Sequence, residues 1–170
     1  MATAKTDNGQ LPSGYVSPFK RVQMEERIDD GLACVAILTN KPLEQIKELA
    51  YQLGFPKHGP AWVDEALIAK LLFQHGLVSS PWKEVASAAA MPYIAILMVD
   101  YNPATEIGRN VIWHHVKGTD TQQAFSYIID PAHWLDPKHH VTTAFGHLAM
   151  KPPMYYLEVT PRPDGSKKAK

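Results

Sequence analysis

The sequence has a single cysteine, Cys34, among its 170 residues. One cysteine excludes an internal disulfide framework and a cysteine-rich zinc site. An excess of one charge is also missing, since 17 Lys and Arg balance 17 Asp and Glu. This balance argues against a protein that binds nucleic acid by neutralising phosphates, and against a polybasic membrane anchor.

Long apolar runs are absent as well. No run reaches about 18 residues, so the sequence predicts no membrane insertion. Residues 1–19 are polar and lack the apolar stretch of a secretory signal, which predicts a flexible N-terminal arm and a cytoplasmic protein. Delivery by a signal-less secretion route stays open. Residues 161–170 predict a flexible basic tail, which leaves residues 20–160 as one domain with its own core.

The first half of this domain has the pattern of helices. Asp29 and Asp30 precede the run G-L-A-C-V-A-I-L, which is apolar on every side. We expect a buried central helix over about residues 30–39, with an Asp able to cap its N-terminus. The segments PLEQIKELAYQL and AWVDEALIAKLLFQH predict two more helices, each followed by a glycine. Pro81 predicts the start of a fourth helix in PWKEVASAAA.

The second half has the pattern of strands. The segments YIAILMVDY, NVIWHHV, AFSYIID and MYYLEV are apolar or alternating, and clusters of Asn, Gly, Asp and Pro separate them. Helices followed by strands predict an α+β fold, in which an antiparallel sheet packs on helices.

Side chains that could take part in catalysis occur in both halves. His114 and His115 fall on one predicted strand, and Asp130 ends the next one. A carboxylate beside an imidazole fixes its tautomer, and a nucleophile at a helix N-terminus gains from the helix dipole. Taken singly, each of these residues is more often structural than catalytic.

The order of the motifs is more informative than any one of them. The strings D-D-G-L-A-C-V-A-I-L, P-Y-I-A-I-L, H-H-V and Y-I-I-D-P, in this order, resemble the papain-like cysteine peptidases. The closest group is the bacteriocin-processing peptidases, which cleave double-glycine leaders. The resemblance covers about residues 20–160 and implies a papain-like fold, with N-terminal helices packed on a C-terminal antiparallel sheet.

The resemblance also implies roles for particular residues. Gln23 matches the glutamine of the oxyanion hole, His114 matches the catalytic base, and Asp130 matches the carboxylate that orients this base. Trp113 and His115 would then lie beside the cleft and contribute to ligand binding. The loop 56–60, between the second and third predicted helices, would border the same cleft.

The nucleophile position departs from the family pattern. Aligned on Gly31, this position holds Asp30, and counting from Gln23 it holds Asp29. Cys34 matches the family's second, non-catalytic cysteine, one turn deeper in the helix. A carboxylate is a poor nucleophile towards a peptide carbonyl, so we expect Asp30 and His114 to form an inert ion pair.

These residues lead to three functional hypotheses. The first is a degenerate peptidase-like protein that binds a peptide or protein partner in the former active-site cleft. The second is an active cysteine peptidase or hydrolase that uses Cys34, His114 and Asp130. The third is a non-enzymatic interaction protein, such as an effector, inhibitor or immunity protein, that reuses the fold. The oligomeric state stays open.

No cofactor and no metal are expected under any of these hypotheses. The sequence has no Gly-rich phosphate loop. The stretch D-P-A-H-W-L-D-P-K-H-H contains histidines and carboxylates at close spacing. Its two Asp-Pro steps favour extended or turn backbone, so the stretch offers no helical pair of zinc ligands.

Overall fold

The computed structural model describes residues 9–26, 28–58 and 61–163. Within them, three α-helices come first: α1 (Asp30–Thr39), α2 (Leu43–Gln52) and α3 (Glu65–Gln74). The strands that follow are β1 (Leu77–Ser79), β2 (Lys83–Glu84), β3 (Ile94–Asn102), β4 (Ile107–Val116), β5 (Phe125–Ile129), β6 (Val141–Thr142) and β7 (Tyr155–Pro161). The fold is α+β, as expected. None of the described helices is long and apolar enough to cross a membrane.

The strands form one antiparallel sheet. Their order is β1-β7-β3-β4-β5-β6, and β2 pairs with β7 outside this path. The long strands β3 and β4 therefore occupy the centre, and the short strands β1 and β6 are the edges. Ile112 of β4 lies opposite Ile129 of β5, which fixes the face on which every side chain of these two strands lies.

The helix α1 is the centre of the core. All of its residues from 30 to 38 are buried, and it packs on β4, α2 and α3. A helix that is apolar all round has to be covered on every side, and the predicted central helix is confirmed. It ends at Asn40, whose φ of 54° is left-handed, and the N–H of Lys41 then donates to the carbonyl of Ala36 over 3.0 Å.

The other two helices bury one face each. Ile46 and Ala50 of α2 are fully buried, while Glu44 and Glu48 are exposed. The helix ends before Gly54, whose φ of 96° lets the N–H of Phe55 return to the carbonyl of Ala50. The carboxylate of Asp64 caps α3 by accepting the N–H of Leu67 over 2.8 Å.

The predicted fourth helix is wrong. The segment 81–90 contains β2 and a single 3₁₀ turn, Ala88–Ala90. The N–H of Val85 donates to the carbonyl of Met154, and the N–H of Trp82 donates to the carboxylate of Glu65. Pairing with a distant part of the chain therefore overrides the helix propensity of the alanines.

Two apolar clusters lie on the two faces of the sheet. The first fills the space between the helices and the sheet, and its sheet side chains include Ile96, Ile112 and Tyr127. The second lies on the other face, where Phe145 and Met154 help to cover it. Its buried members are Ala95, Leu97, Val99, Val111, Trp113, Ile128 and Leu148.

The described part of the predicted N-terminal arm is packed on the domain. The carbonyl of Gly9 accepts the N–H of Thr143 over 2.9 Å, and the ring of Tyr15 meets that of Phe125 edge-on at 5.0 Å. Phe19 packs against the first cluster. These rings give residues 9–19 apolar surface to bury, so this part of the chain is not a flexible arm. Residues 1–8 and 164–170, which hold the rest of the arm and most of the predicted tail, lie outside the described residues.

Candidate functional site

The first turn of α1 meets strand β4 at Asn110. The carboxylate of Asp30 accepts the backbone N–H of Asn110. The amide nitrogen of the Asn110 side chain lies 3.7 Å from the position that a Cβ on Gly31 would occupy. Both Asp30 and Asn110 are buried. Asn110 is therefore the residue of β4 that faces the start of the central helix.

The charge of Asp30 is held in a nearly dry environment. Burial raises its pKa to about 6, although the backbone N–H groups of Asn110 and Gly31 oppose the shift. The neighbouring carboxylate of Asp29 raises the pKa further. Among the described residues, the side-chain oxygen of Asn110 is buried without a hydrogen-bond partner. Asp30 thus lies in a polar cluster that holds no nucleophile.

Asp29 turns away from α1. Its carboxylate accepts the N–H groups of Glu25 and Glu26, at 3.1 Å each, and lies 3.3 Å from the Nζ of Lys47. The Asp29 side chain does not make the expected cap hydrogen bond at the N-terminus of α1. Asp29 stabilises the preceding turn instead, and Asp30, as the first helical residue, bonds to the sheet.

His114 lies away from this cluster. Its Nδ1 is 2.8 Å from the hydroxyl of Tyr127, and its ring meets that of Phe19 at 5.2 Å. Burial lowers the pKa of His114, and the neighbouring His115 lowers it further. His114 is four residues beyond Asn110, or about 13 Å along an extended strand. The expected ion pair between Asp30 and His114 is therefore not formed, because the helix start meets β4 two side-chain positions away on the same face.

Asp130 belongs to a different network. It is fully buried, and its Oδ1 accepts from the Nη1 of Arg109 at 2.6 Å and from the N–H of Ala132 at 3.0 Å. The Nε of Arg109 donates to Asp100 over 2.7 Å. Tyr127 lies opposite His114, and Asp130 follows three residues later, so its side chain leaves β5 on the opposite face. Asp130 pairs with a guanidinium and does not orient His114.

Gln23 lies beside the segment that follows β5. Its amide oxygen is 3.4 Å from the Nη1 of Arg21, and the next residue, Met24, donates its N–H to the carbonyl of Pro131. Arg21 itself donates to the carbonyl of Asp130 over 2.6 Å. The side-chain hydrogen bond of Gln23 among the described residues is therefore with Arg21, and none joins it to the first turn of α1, where an oxyanion hole would be needed.

Trp113 and His115 lie on the face of the sheet opposite α1. The indole nitrogen of Trp113 donates to the carbonyl of Pro92 over 3.1 Å, and its ring packs on Phe145. The Nδ1 of His115 is 2.8 Å from the hydroxyl of Ser126. The expectation that both side chains lie beside the cleft at the start of α1 is wrong, because odd-numbered residues of β4 point to the second cluster.

Cys34 is an interior residue. It is fully buried, and burial raises the pKa of its thiol well above the usual range. The carboxylates of Asp30 and Asp130 raise it further. Reactive thiols are partly exposed and lie in electropositive surroundings, so this thiol has the properties of a small apolar side chain.

Two neighbouring concave surfaces lie on the helical side of the molecule: the first is beside the start of α1, and the second is between the end of α2 and α3. The first encloses about 70 Å³ between α1 and α2, where Lys57 lies 5.3 Å above the ring of Tyr51. Its lining residues include Asp29, Lys47, Tyr51, Phe55, Pro56 and Lys57. The second encloses about 250 Å³ and shares Phe55 and Pro56 with the first. We call the two together the α1–α2 groove.

One wall of this groove is an unusually exposed aromatic residue. Trp62 is 62% exposed and lines the second concave surface beside α3. The loop 56–60 had been expected at the cleft, and its described residues Pro56 and Lys57 do line the groove. Sequence reasoning missed Trp62, Asn110 and Arg109. Of these, only Trp62 carries a signal, namely a large aromatic residue in a polar loop between two helices.

Metal-ligating side chains do not converge in the part of the chain that the structure describes. No group of three or more His, Cys, Asp or Glu residues there is placed to hold a metal ion. No protein-family model matches the sequence, and no curated protein is significantly similar to it.

Proposed function

We propose that this protein is a catalytically degenerate member of the papain-like cysteine peptidase superfamily, and that it binds a peptide or protein partner beside the N-terminus of α1. The observation that carries the proposal is the identity of the residue at this terminus. Asp30 takes the first helical position, and its carboxylate is bonded to the backbone of β4.

The chemistry of this arrangement argues against peptide hydrolysis. Acyl transfer needs a nucleophile within hydrogen-bond reach of a base. Asp30 faces Asn110, whose amide takes up no proton at physiological pH, and His114 is bonded to Tyr127. Cys34 is buried one turn deeper, where its thiol resists ionisation. Cys34, His114 and Asp130, which an active enzyme would use, therefore make no hydrogen bond with one another: His114 bonds to Tyr127, and Asp130 bonds to Arg109.

The α1–α2 groove supports the binding half of the proposal. Its first concave surface adjoins the start of α1 at Asp29, and its second combines Phe55 and Pro56 with the exposed ring of Trp62. An exposed Trp beside a concave surface of mixed polar and apolar side chains is a common anchor at a protein interface. We expect the partner to place an apolar side chain in this groove.

Thiol alkylation tests the absence of catalysis. The native protein is treated with iodoacetamide from about pH 5 to about pH 9, and the fully unfolded chain is the control. Because Cys34 is the single cysteine, the signal comes from one site. We expect labelling of the native protein to be far slower than that of the unfolded chain at every pH. Fast labelling with a midpoint below the ordinary thiol value of about 8.5, lost in His114→Ala, would instead support the active cysteine hydrolase.

Selection from a random-peptide library tests the binding site. Peptides that bind the immobilised protein are compared on Trp62→Ala and on Tyr93→Ala, since Tyr93 is 53% exposed on a different surface. We expect the first substitution to weaken binding by at least about tenfold, and the second to leave it unchanged. Selected peptides that bind both variants equally would place the binding surface elsewhere, as the interaction-protein hypothesis requires.

A further inference from the structure

The segment 143–150 lies across the second face of the sheet, and we call it the strap. The ring of Phe145 packs on Trp113 at 5.7 Å, and Leu148 is buried in the second apolar cluster. Without the strap, the cluster around Trp113 would lose part of its cover and meet water.

Asp100 of β3 anchors the strap at Ala149. The N–H of Asp100 donates to the carbonyl of Ala149 over 3.0 Å, and the N–H of Ala149 donates to the Oδ1 of Asp100 over 2.8 Å. The other carboxylate oxygen accepts from the Nε of Arg109, which in turn reaches Asp130. One chain of polar contacts therefore joins β3, β4 and the end of β5 to the strap.

His147 is the titratable residue of the strap. Its ring stacks on that of His139, with centroids 3.9 Å apart and planes at 20°. Both of its ring nitrogens are buried, and neither has a hydrogen-bond partner among the described residues. The neutral ring leaves one N–H and one lone pair without partners, and a second proton would add a buried charge with no acceptor among the described residues.

Four titratable or charged side chains, from the elements packed around His147, act on its ring. His139 comes from the turn Pro137–His139, Arg109 from β4, Asp100 from β3, and Asp130 from the end of β5. Burial lowers the pKa of His147, and His139 and Arg109 lower it further, while Asp130 and Asp100 oppose the shift. The net direction favours the neutral ring in the closed strap.

We propose that the strap is a pH-sensitive cover: protonation of His147 releases it from the sheet and exposes the apolar cluster around Trp113. The geometry carries the proposal, because the ring is stacked face to face, has no hydrogen-bond partner among the described residues and lies two residues from the Ala149 anchor. A charge on His147 would have no hydrogen-bonded acceptor among the described residues, and repulsion by His139 and Arg109 would oppose the attraction of Asp130 and Asp100.

The direction of the response follows from proton linkage. A histidine whose pKa is lowered in the closed state binds fewer protons there than in the open state. The closed strap is therefore fully stable above the ordinary histidine value of about 6.5, and it loses stability as the pH falls below that value. Each unit by which the pKa is lowered corresponds to about tenfold in the opening equilibrium.

Hydrogen exchange of the strap amides tests the proposal. Protection of residues 145–150 is measured in the wild-type protein at about pH 7.5 and about pH 5, after correction for the intrinsic exchange rate. We expect protection to fall several-fold at the lower pH, whereas the amides of α1 keep theirs. The variant His147→Phe keeps a ring to stack on His139 but takes up no proton, so its strap should respond little to pH. The matched control is His58→Phe, since His58 is exposed in a distant loop.

Two results would overturn the proposal. One is equal protection of the wild-type strap at both pH values, and the other is an unchanged pH response in His147→Phe. If this variant does not fold, NMR titration of His147 in the wild-type protein decides the question. A midpoint below about 6.5, with a matching change in the indole signal of Trp113, supports the cover, whereas a midpoint at or above that value contradicts it.

Discussion

Opposing electrostatic effects set the pKa of Asp30. The helix N-terminus and the N–H of Asn110 favour its charged form, while burial disfavours it. Burial dominates, because it raises the pKa to about 6 from an ordinary value of 3.8. Between these values the folded protein binds more protons at this site than the unfolded chain. The contribution of Asp30 to stability therefore falls as the pH rises through this window.

The substitution Asp30→Asn should remove this dependence on pH. The new amide oxygen still accepts the N–H of Asn110, but it carries no charge to bury. We expect the variant to gain about 2–3 kcal/mol of unfolding free energy relative to wild type between about pH 4 and about pH 7. Urea unfolding of both proteins across this range measures the difference. A constant difference at every pH would show that Asp30 has an ordinary pKa in the folded protein.

The sequence located only one side of this site. The pair Asp29-Asp30 before an apolar run predicted the start of α1, and the helix begins there. Its partner on β4 was not predictable, because Asn110 is one polar residue in a strand and carries no pattern. The motif pattern predicts His114 as the partner of Asp30 instead. Period-2 alternation predicts which face a strand residue occupies, but it does not predict which position on that face meets a helix.

At the scale of elements, the contact between α1 and the loop before α3 depends on Gly31. A Cβ on Gly31 would lie 2.9 Å from the Cγ1 of Val63 and 3.2 Å from its Cβ. Ala is preferred to Gly within a helix by about 1 kcal/mol, so propensity alone would favour Gly31→Ala. The branched side chain of Val63 has few rotamers by which it could move away. The close contact, and not helix propensity, therefore decides whether Gly31→Ala stabilises or destabilises the protein.

We therefore expect Gly31→Ala to destabilise the protein by about 1–3 kcal/mol. The control is Gly146→Ala, because a Cβ there meets nothing within 4 Å. Chemical denaturation of both variants checks the prediction, and in Gly31→Ala/Val63→Ala part of the loss should be recovered. A Gly31→Ala variant as stable as wild type would mean that α1 shifts freely against this loop.

Elements were predicted where local pattern and tertiary contacts agree. The three described α-helices and the long strands have enough apolar periodicity to be recognised. The segment 81–90 was not recognised, since its structure depends on Glu65 and Met154, which are distant in the sequence. The packed segment 9–19 is a similar case, because nothing local to Tyr15 and Phe19 indicates the surface that they cover.

At the scale of the whole molecule, Arg109 links three strands of the sheet. It pairs with Asp100 of β3 from its place in β4, and with Asp130 after β5. Removing one partner of a buried ion pair leaves an uncompensated charge, so we expect Arg109→Met to lower the unfolding free energy by about 3–5 kcal/mol. Thermal and urea unfolding measure this loss.

Two further variants separate charge from packing. In Arg109→Met/Asp130→Asn the buried charge is gone as well, and we expect the double variant to be more stable than the single one. Lys83→Met breaks only the half-exposed pair with Glu158, which should cost less than about 1 kcal/mol. Equal losses in the single and double Arg109 variants would show that packing, and not the unpaired carboxylate, accounts for the effect.

The short edge strands of the sheet bear on aggregation between molecules. β1 has three residues and β6 has two, so both terminal strands of the sheet are very short. A long, flat edge is the template on which sheets of separate molecules join and fibrils grow. A concentrated solution of this protein should therefore resist cross-β aggregation for as long as the native sheet is kept.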